Sequence, residues 1–181
     1  MFVVPLVLGF AFDSLSTFTA VYSQRWGNRI GKLVSLVLRN VLGMPLWVLG
    51  FVLAVRIPSH KLFDSTPFIE ASGWLLVVAG AAIILWALLA LGRRAAVPTM
   101  GDTLVAGGPY AHVRHPIYSG TFLEFISLFL LQPTSSTLLA CSVGIIWLMI
   151  QARLEEVDLL KRIPSYREYL HRVPCFVPRL R

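Results

Sequence analysis

Long apolar runs separated by short polar stretches set the pattern of the chain. Three of them, at residues 2–22, 33–55 and 72–91, approach the roughly 20 residues that carry a helix across a hydrocarbon core. Two shorter runs follow, at residues 117–131 and 137–150, joined by Gln132-Pro-Thr-Ser-Ser136 as a tight turn. They predict a hairpin, fully crossing or re-entrant, with both open ends on one side. None of the runs alternates strictly, and all exceed the ~10-residue strands of a membrane barrel. The expected fold is all-α: a polytopic transmembrane helical bundle of about five helices, the last two a short hairpin, with a cytosolic amphipathic tail. We expect residues 1–181 to form one integral-membrane domain. Residues 1–100 would hold three transmembrane helices, and residues 101–181 the central loop, the hairpin and the tail.

Interruptions in the runs refine this picture. Asp13 lies inside the first span, where a carboxylate needs a protein or water neighbour, so a structural role between helices or near the surface is expected. Pro45 predicts a kink in the second span. Residues 56–70, with Pro58, His60, Asp64 and Pro67, read as an irregular connection, and Gly92-Arg-Arg-Ala-Ala-Val-Pro98 closes the third span. The last helix is expected to continue beyond the membrane through residues 153–162. Leu154, Val157, Leu160 and Ile163 recur there at helical spacing, which predicts an apolar face. Pro164 ends that run. Tyr166, Tyr169 and residues 172–178 predict a short amphipathic piece against the loop or the membrane surface.

Composition agrees with a membrane protein. Hydrophobic residues make up 56% and charged residues 14%, with a mean hydropathy of +0.73; soluble domains carry about a quarter charged residues. The net charge of +7 would suggest nucleic acid in a soluble protein. Here the basic residues sit beside apolar spans, which favours anchoring at an anionic membrane surface and no nucleic acid. With five crossings, fourteen of the sixteen Lys and Arg residues fall on one side, and only Arg56 and Lys61 on the other. That asymmetry predicts a cytoplasmic central loop and C-terminus. No Lys or Arg precedes Arg25, so a cleavable signal peptide with a basic start is not expected. Cys141 and Cys175 form neither a disulfide framework nor a zinc spacing.

The candidate chemistry lies in the polar stretch Gly107-Gly-Pro-Tyr-Ala-His-Val-Arg-His-Pro-Ile-Tyr-Ser-Gly120. Its glycines and proline permit a tight turn. Tyr110, His112, Arg114 and His115 supply donors, and Pro116 suits the first position of a helix whose free N–H groups favour an anion. A second cluster, Glu155 and Glu156, sits where the last helix leaves the apolar run. The hairpin makes the two clusters neighbours, a combination suited to a small zwitterionic ligand. His112 and His115 lack an evident third partner, so no metal is expected. Ser119 beside His115 lacks an acidic orienter, so nucleophilic catalysis is not expected either.

The joint pattern comprises Gly108, Tyr110, Arg114, His115, Pro116, Tyr118 and Gly120, then Glu155 and Glu156, then Tyr166, Tyr169, Arg172, Val173 and Pro174. It resembles the isoprenylcysteine carboxyl methyltransferase family, with much shared by the membrane-bound phospholipid methyltransferases, and covers residues 101–178. The resemblance implies an enzyme transferring a methyl group from S-adenosyl-L-methionine to a lipophilic or small apolar acceptor at the membrane. It places cofactor contacts on Asp102, Thr103, Leu104, Val105, Tyr110, Arg114, His115, Pro116, Ile117, Tyr118 and Glu155. Arg114 and His115 would orient the cofactor's carboxylate end, Tyr110 and Tyr118 would wall the pocket, and Glu155 would take the ribose or ammonium group. Arg153 and Glu156 would be the catalytic pair, positioning the tail or acceptor. Gln151 stands where eukaryotic members of that family place a substrate-contacting arginine, a departure that bears on a prenylcysteine carboxylate as substrate, and Asp102 stands where histidine is frequent. The alternatives are a phospholipid N-methyltransferase, a small-thiol S-methyltransferase, or a non-catalytic membrane scaffold or lipid-binding protein.

Overall fold

The computed structural model describes residues 1–92 and 102–179. Arg93 and Arg94, part of the stretch expected to close the third span, lie outside the described residues, as does Gly101. The architecture is all-α among the described residues. Helix α1 spans Val3–Ser16, α2 Thr19–Trp26, α3 Asn28–Leu36, α4 Met44–Arg56, α5 Pro67–Leu91, α6 Pro116–Leu131, α7 Ser135–Arg162 and α8 Tyr166–Arg172. Among the described residues, three continuous segments are long and apolar enough to cross a membrane, Asn28–Arg56, Pro67–Leu91 and Ser135–Arg162, and the bent α1–α2 pair makes a fourth if counted as one span. The protein is a multi-pass integral-membrane protein. The expectation of five crossings is replaced by this coarser statement, because α6 is shorter than a full span.

The first apolar run breaks into α1 and α2, bent by 58° at Thr17–Phe18. The break has partners from a distant part of the chain. Thr17 Oγ1 accepts from Gln151 Nε2 (2.8 Å), and Asp158 Oδ1 accepts from the Ala20 backbone N–H (3.0 Å). A carboxylate of α7 thus satisfies an N–H of the first turn of α2, the role an N-cap side chain plays locally. The second run is one segment, α3 through α4, with a π-helical stretch at Val37–Gly43 just before Pro45. Where the kink is expected the helix widens locally: the Met44 N–H bonds to Arg39 O, five residues back. Helix α5 starts earlier than expected, at Pro67, because Thr66 caps it by accepting from the Ile69 N–H (3.3 Å).

Two features fix the bundle. Helix α5 lies against α6, where Gly80 and Gly120 meet: a Cβ added at Gly120 would stand 2.7 Å from Gly80 O. The core between α1, α4, α6 and α7 contains Leu6, Phe10, Phe51, Phe125 and Leu148. Phe10 stacks on Trp147 at 4.2 Å between ring centroids, and Phe51 on Phe125 at 5.0 Å. The α6–α7 turn is tied to the loop after α4, through Leu62 N–H to Pro133 O (2.8 Å) and Ser135 N–H to His60 O (2.9 Å). The hairpin's open ends therefore lie at the opposite end of the bundle.

Helix α7 runs unbroken from the apolar core into the tail, as the sequence predicts. The expected apolar stripe is split: Val157 and Leu160 are exposed, Leu154 is half-buried and Ile163 is buried in the core against Tyr166 and Tyr169. Gln151, Glu156 and Asp158 are buried, each with a polar partner.

Candidate metal centre

The stretch before α6 is folded tightly. Gly108–Ala111 form a 3-10 turn with Pro109 and Tyr110 buried. His115 directly precedes Pro116, the first residue of α6. The C-terminal strap after α8 crosses this point. Arg114 N–H donates to Pro174 O (2.8 Å), His115 N–H to Cys175 O (3.1 Å) and Ser119 Oγ to Phe176 O (2.6 Å). Arg114 Nη1 donates to Leu170 O (3.0 Å) and Val173 O (2.5 Å). Tyr169 OH donates to Tyr110 O at 2.6 Å. The result is a buried contact of three elements distant in sequence: the start of α6, the outer part of α7, and the strap.

Glu156 is the centre of that contact. Its Oε1 lies 2.8 Å from Arg114 Nε, 3.2 Å from His115 Nε2 and 3.9 Å from Cys175 Sγ. Its Oε2 has Arg153 Nη1 at 3.4 Å. The other ring nitrogen of His115, Nδ1, faces Glu155 Oε2 at 3.7 Å. His115 and Glu156 are buried and Cys175 is half-buried, and one ligand atom from each lies within 4.8 Å of the others. Imidazole nitrogen, carboxylate oxygen and thiol sulfur form a donor set for zinc and its neighbours. Tetrahedral zinc at ordinary bond lengths separates its ligands by about 3.4–3.8 Å; the two separations to Glu156, 3.2 and 3.9 Å, lie on either side of that range, and all three atoms lie within 4.8 Å of one another. The chemistry of the donor set suits a divalent cation. Glu155 stands beside Nδ1 of His115 at ion-pair rather than hydrogen-bond distance.

Burial, with the Glu156 charge next, raises the Cys175 thiol above its usual range. Burial also pushes the Tyr169 hydroxyl up to about 12 and raises Tyr166 and Tyr110 further, so all three stay protonated at neutral pH.

Beside this centre lies a cleft of about 490 Å³. Of the residues expected to hold a cofactor, Asp102, Thr103, Leu104, Val105, Tyr110, Arg114, His115, Ile117, Tyr118 and Glu155 line it. Pro116 is buried at the start of α6 and is not on the lining. Glu156 and Arg153 are not on it either: Glu156 is buried in the three-element contact, and the Arg153 side chain is 74% exposed. Sequence reasoning missed Asp13, Arg39, Asp158 and Arg162 on this lining. Asp13 lies 3.7 Å from Arg39 Nε, and Arg39 Nη2 lies 4.0 Å from Glu155 Oε1. Tyr118 OH donates to Glu155 Oε1 in a short hydrogen bond. Arg162 joins Asp158 (2.5 Å) to Asp102 (3.1 Å). An acidic residue inside an apolar run was the one available signal, for Asp13. The Arg162 pairing gave none.

The phospholipid methyltransferase family model matches residues 68–166, just over half the chain. The cobalt-zinc-cadmium resistance protein CzcN of Cupriavidus metallidurans is 30% identical over 147 residues, covering 78% of this chain. The nickel-cobalt-cadmium resistance protein NccN of Alcaligenes xylosoxydans xylosoxydans is 31% identical over 152 residues, covering 81%. The chain spans 65% of the length of the first and 68% of the second. No solved structure matches it.

These findings correct several expectations. The resemblance to isoprenylcysteine carboxyl methyltransferases is not upheld: relatives covering about four-fifths of the chain are named for metal resistance. With it go the S-adenosyl-L-methionine-dependent methyltransferase activity on a lipophilic or small apolar acceptor, and S-adenosyl-L-methionine as cofactor. The physical reason lies in the same residues. Arg114, assigned to a cofactor carboxylate, spends its donors on Glu156, Leu170 and Val173, and His115 faces two glutamates. The expectation of no metal is overturned as well, by the cluster of His115, Glu156 and Cys175. Its members come from three elements, so no short spacing announces them. The chain belongs to the phospholipid methyltransferase family, and to the family of the nickel-cobalt-cadmium resistance protein NccN.

Proposed function

We propose that the protein is a membrane component of heavy-metal resistance that binds a divalent transition-metal cation through His115, Glu156 and Cys175. The observation that carries this reading is the convergence of those three donors within 4.8 Å. The names of CzcN and NccN point the same way, toward zinc, cobalt, cadmium or nickel. The cation is the protein's ligand or cargo. Glu156 bridges the site to Arg114, whose charge stays on the carboxylate, and Glu155 faces His115 from the cleft side. Exposed Arg153 contributes charge at the rim. The end of the bundle carrying the strap faces the cytoplasm in this reading, in line with the placement of Lys and Arg.

The test is equilibrium dialysis of the full chain, purified in detergent and stripped of metal, against cadmium, zinc, cobalt and nickel. The expected result is one cation per chain, with affinity falling at least ~10-fold in His115→Ala and in Glu156→Gln. The absence of stoichiometric binding, or binding that both substitutions leave intact, would overturn the assignment. So would methyl transfer by the metal-free protein.

A further inference from the structure

We infer that a bound cation latches the C-terminal strap to the bundle, with Cys175 as the catch. This rests on the metal reading above and concerns the regulation of the same centre. The three donors do not share an element: His115 opens α6, Glu156 belongs to α7, and Cys175 rides on the strap after α8. One ion bound to all three therefore joins three parts of the chain that otherwise meet through hydrogen bonds.

The metal-free contact is held mainly by strap carbonyls. Val173, Pro174, Cys175 and Phe176 each offer their carbonyl to Arg114, His115 or Ser119. Phe176 adds ring contacts with His115 (5.9 Å) and Phe122 (5.1 Å). The strap residues from Val173 to Phe176 are only half-buried, and those from Val177 to Arg179 are exposed. Glu156 Oε1 meanwhile faces three donors, from Arg114, His115 and Cys175, although one oxygen has two lone pairs. A cation replaces the imidazole and thiol donors at that oxygen with a single partner, and Arg114 remains on the carboxylate. The Nε2 proton and the thiol proton both leave to water, so a neutral imidazole with its remaining proton on Nδ1, toward Glu155, and a thiolate become the metal's ligands.

The latch reaches the cleft because the strap continues from α8. Tyr166 and Tyr169 of α8 line the cleft, and the buried Tyr166 hydroxyl has no hydrogen-bond partner among the described residues. Fastening the strap at Cys175 fastens this wall. The sulfur donor also restricts the latch to soft or borderline cations: cadmium and zinc engage it, magnesium does not.

The experiment is hydrogen–deuterium exchange of the full chain in detergent, read at peptides covering residues 166–179, with bound metal measured on the same samples. Cadmium is expected to slow exchange there about 10-fold or more, and magnesium to leave it unchanged. Cys175→Ser should abolish the slowing while the protein keeps its melting temperature without metal. Stoichiometric cadmium with unchanged exchange would overturn the latch and leave the metal site standing. No bound cadmium would overturn both. Slowing that persists in Cys175→Ser would remove Cys175 as the catch.

Discussion

The two ends of the helical bundle solve the same problem with different chemistry. At the end where α4 leads into α5, helix termini and loop are joined by neutral groups. Thr134 and Thr137 cap α7 reciprocally, Ser136 Oγ donates to Ala54 O (2.7 Å), and Ser59 and Ser136 share a hydrogen bond (2.6 Å). The ion pair there, Lys61 with Asp64, is exposed. At the strap end the corresponding work is done by buried charge: Arg114 with Glu156, and Arg162 with Asp158 and Asp102. Hydroxyl caps are sufficient to end helices. Buried charges cost desolvation, and breaking a pair costs more than never having it. Their concentration at one end is the environment in which the proposed cation site lies.

This contrast predicts an ordered series of substitutions. The largest effect belongs to Glu156→Ala, which strands Arg114 beside a buried carbonyl cluster. We expect a loss of about 3–5 kcal/mol in stability, seen as a lower melting temperature in detergent, together with loss of cation binding. Glu156→Gln should keep more of the fold and still lose the cation. Asp158→Ala comes next, because it removes both the Arg162 partner and the acceptor for the Ala20 N–H. We expect about 2–4 kcal/mol, with faster amide exchange at the α1–α2 break as its local signature. Gly120→Val should push α5 off α6 at the Gly80 contact and cost about 1–3 kcal/mol without changing cation affinity. At the neutral end, Ser136→Ala should cost only about 1 kcal/mol, again with cation binding unchanged. A binding defect in Ser136→Ala as large as that in Glu156→Gln would erase the distinction between the two ends.

The parts legible in the sequence are those governed by local rules. The apolar run at residues 72–91, though not its start at Pro67, the turn before Pro116 and the continuation of α7 into the tail follow from apolar length and from proline placement. Arg114, His115, Glu155 and Glu156 were also legible as neighbours, because a hairpin returns both ends of its helices to one side. What escaped was the use to which each is put. Glycine and tyrosine patterning drew attention to the cleft, whereas the tertiary fold gave Arg114 to the strap carbonyls and His115 to two glutamates. Cys175 lay in a basic tail far in sequence from His115 and Glu156, so only the crossing of the strap over α6 gives it a place. The break at Thr17 was hidden for the same reason: its partners, Gln151 and Asp158, sit more than a hundred positions away.

The outer part of α7 carries a related lesson. Helical spacing identified Leu154, Val157, Leu160 and Ile163 as one stripe, yet Ile163 is buried, Leu154 is half-buried, and Val157 and Leu160 are exposed. In a membrane-associated helix apolar residues can face outward while polar side chains with partners fill the interior.

The most direct test of the central claim is X-ray absorption spectroscopy at the metal edge on the full chain loaded with one equivalent of zinc or cadmium. The account predicts a first shell containing one sulfur among nitrogen and oxygen scatterers, with the sulfur disappearing in Cys175→Ser and the imidazole signature in His115→Ala. A shell of oxygen alone, or one that neither substitution alters, would contradict it.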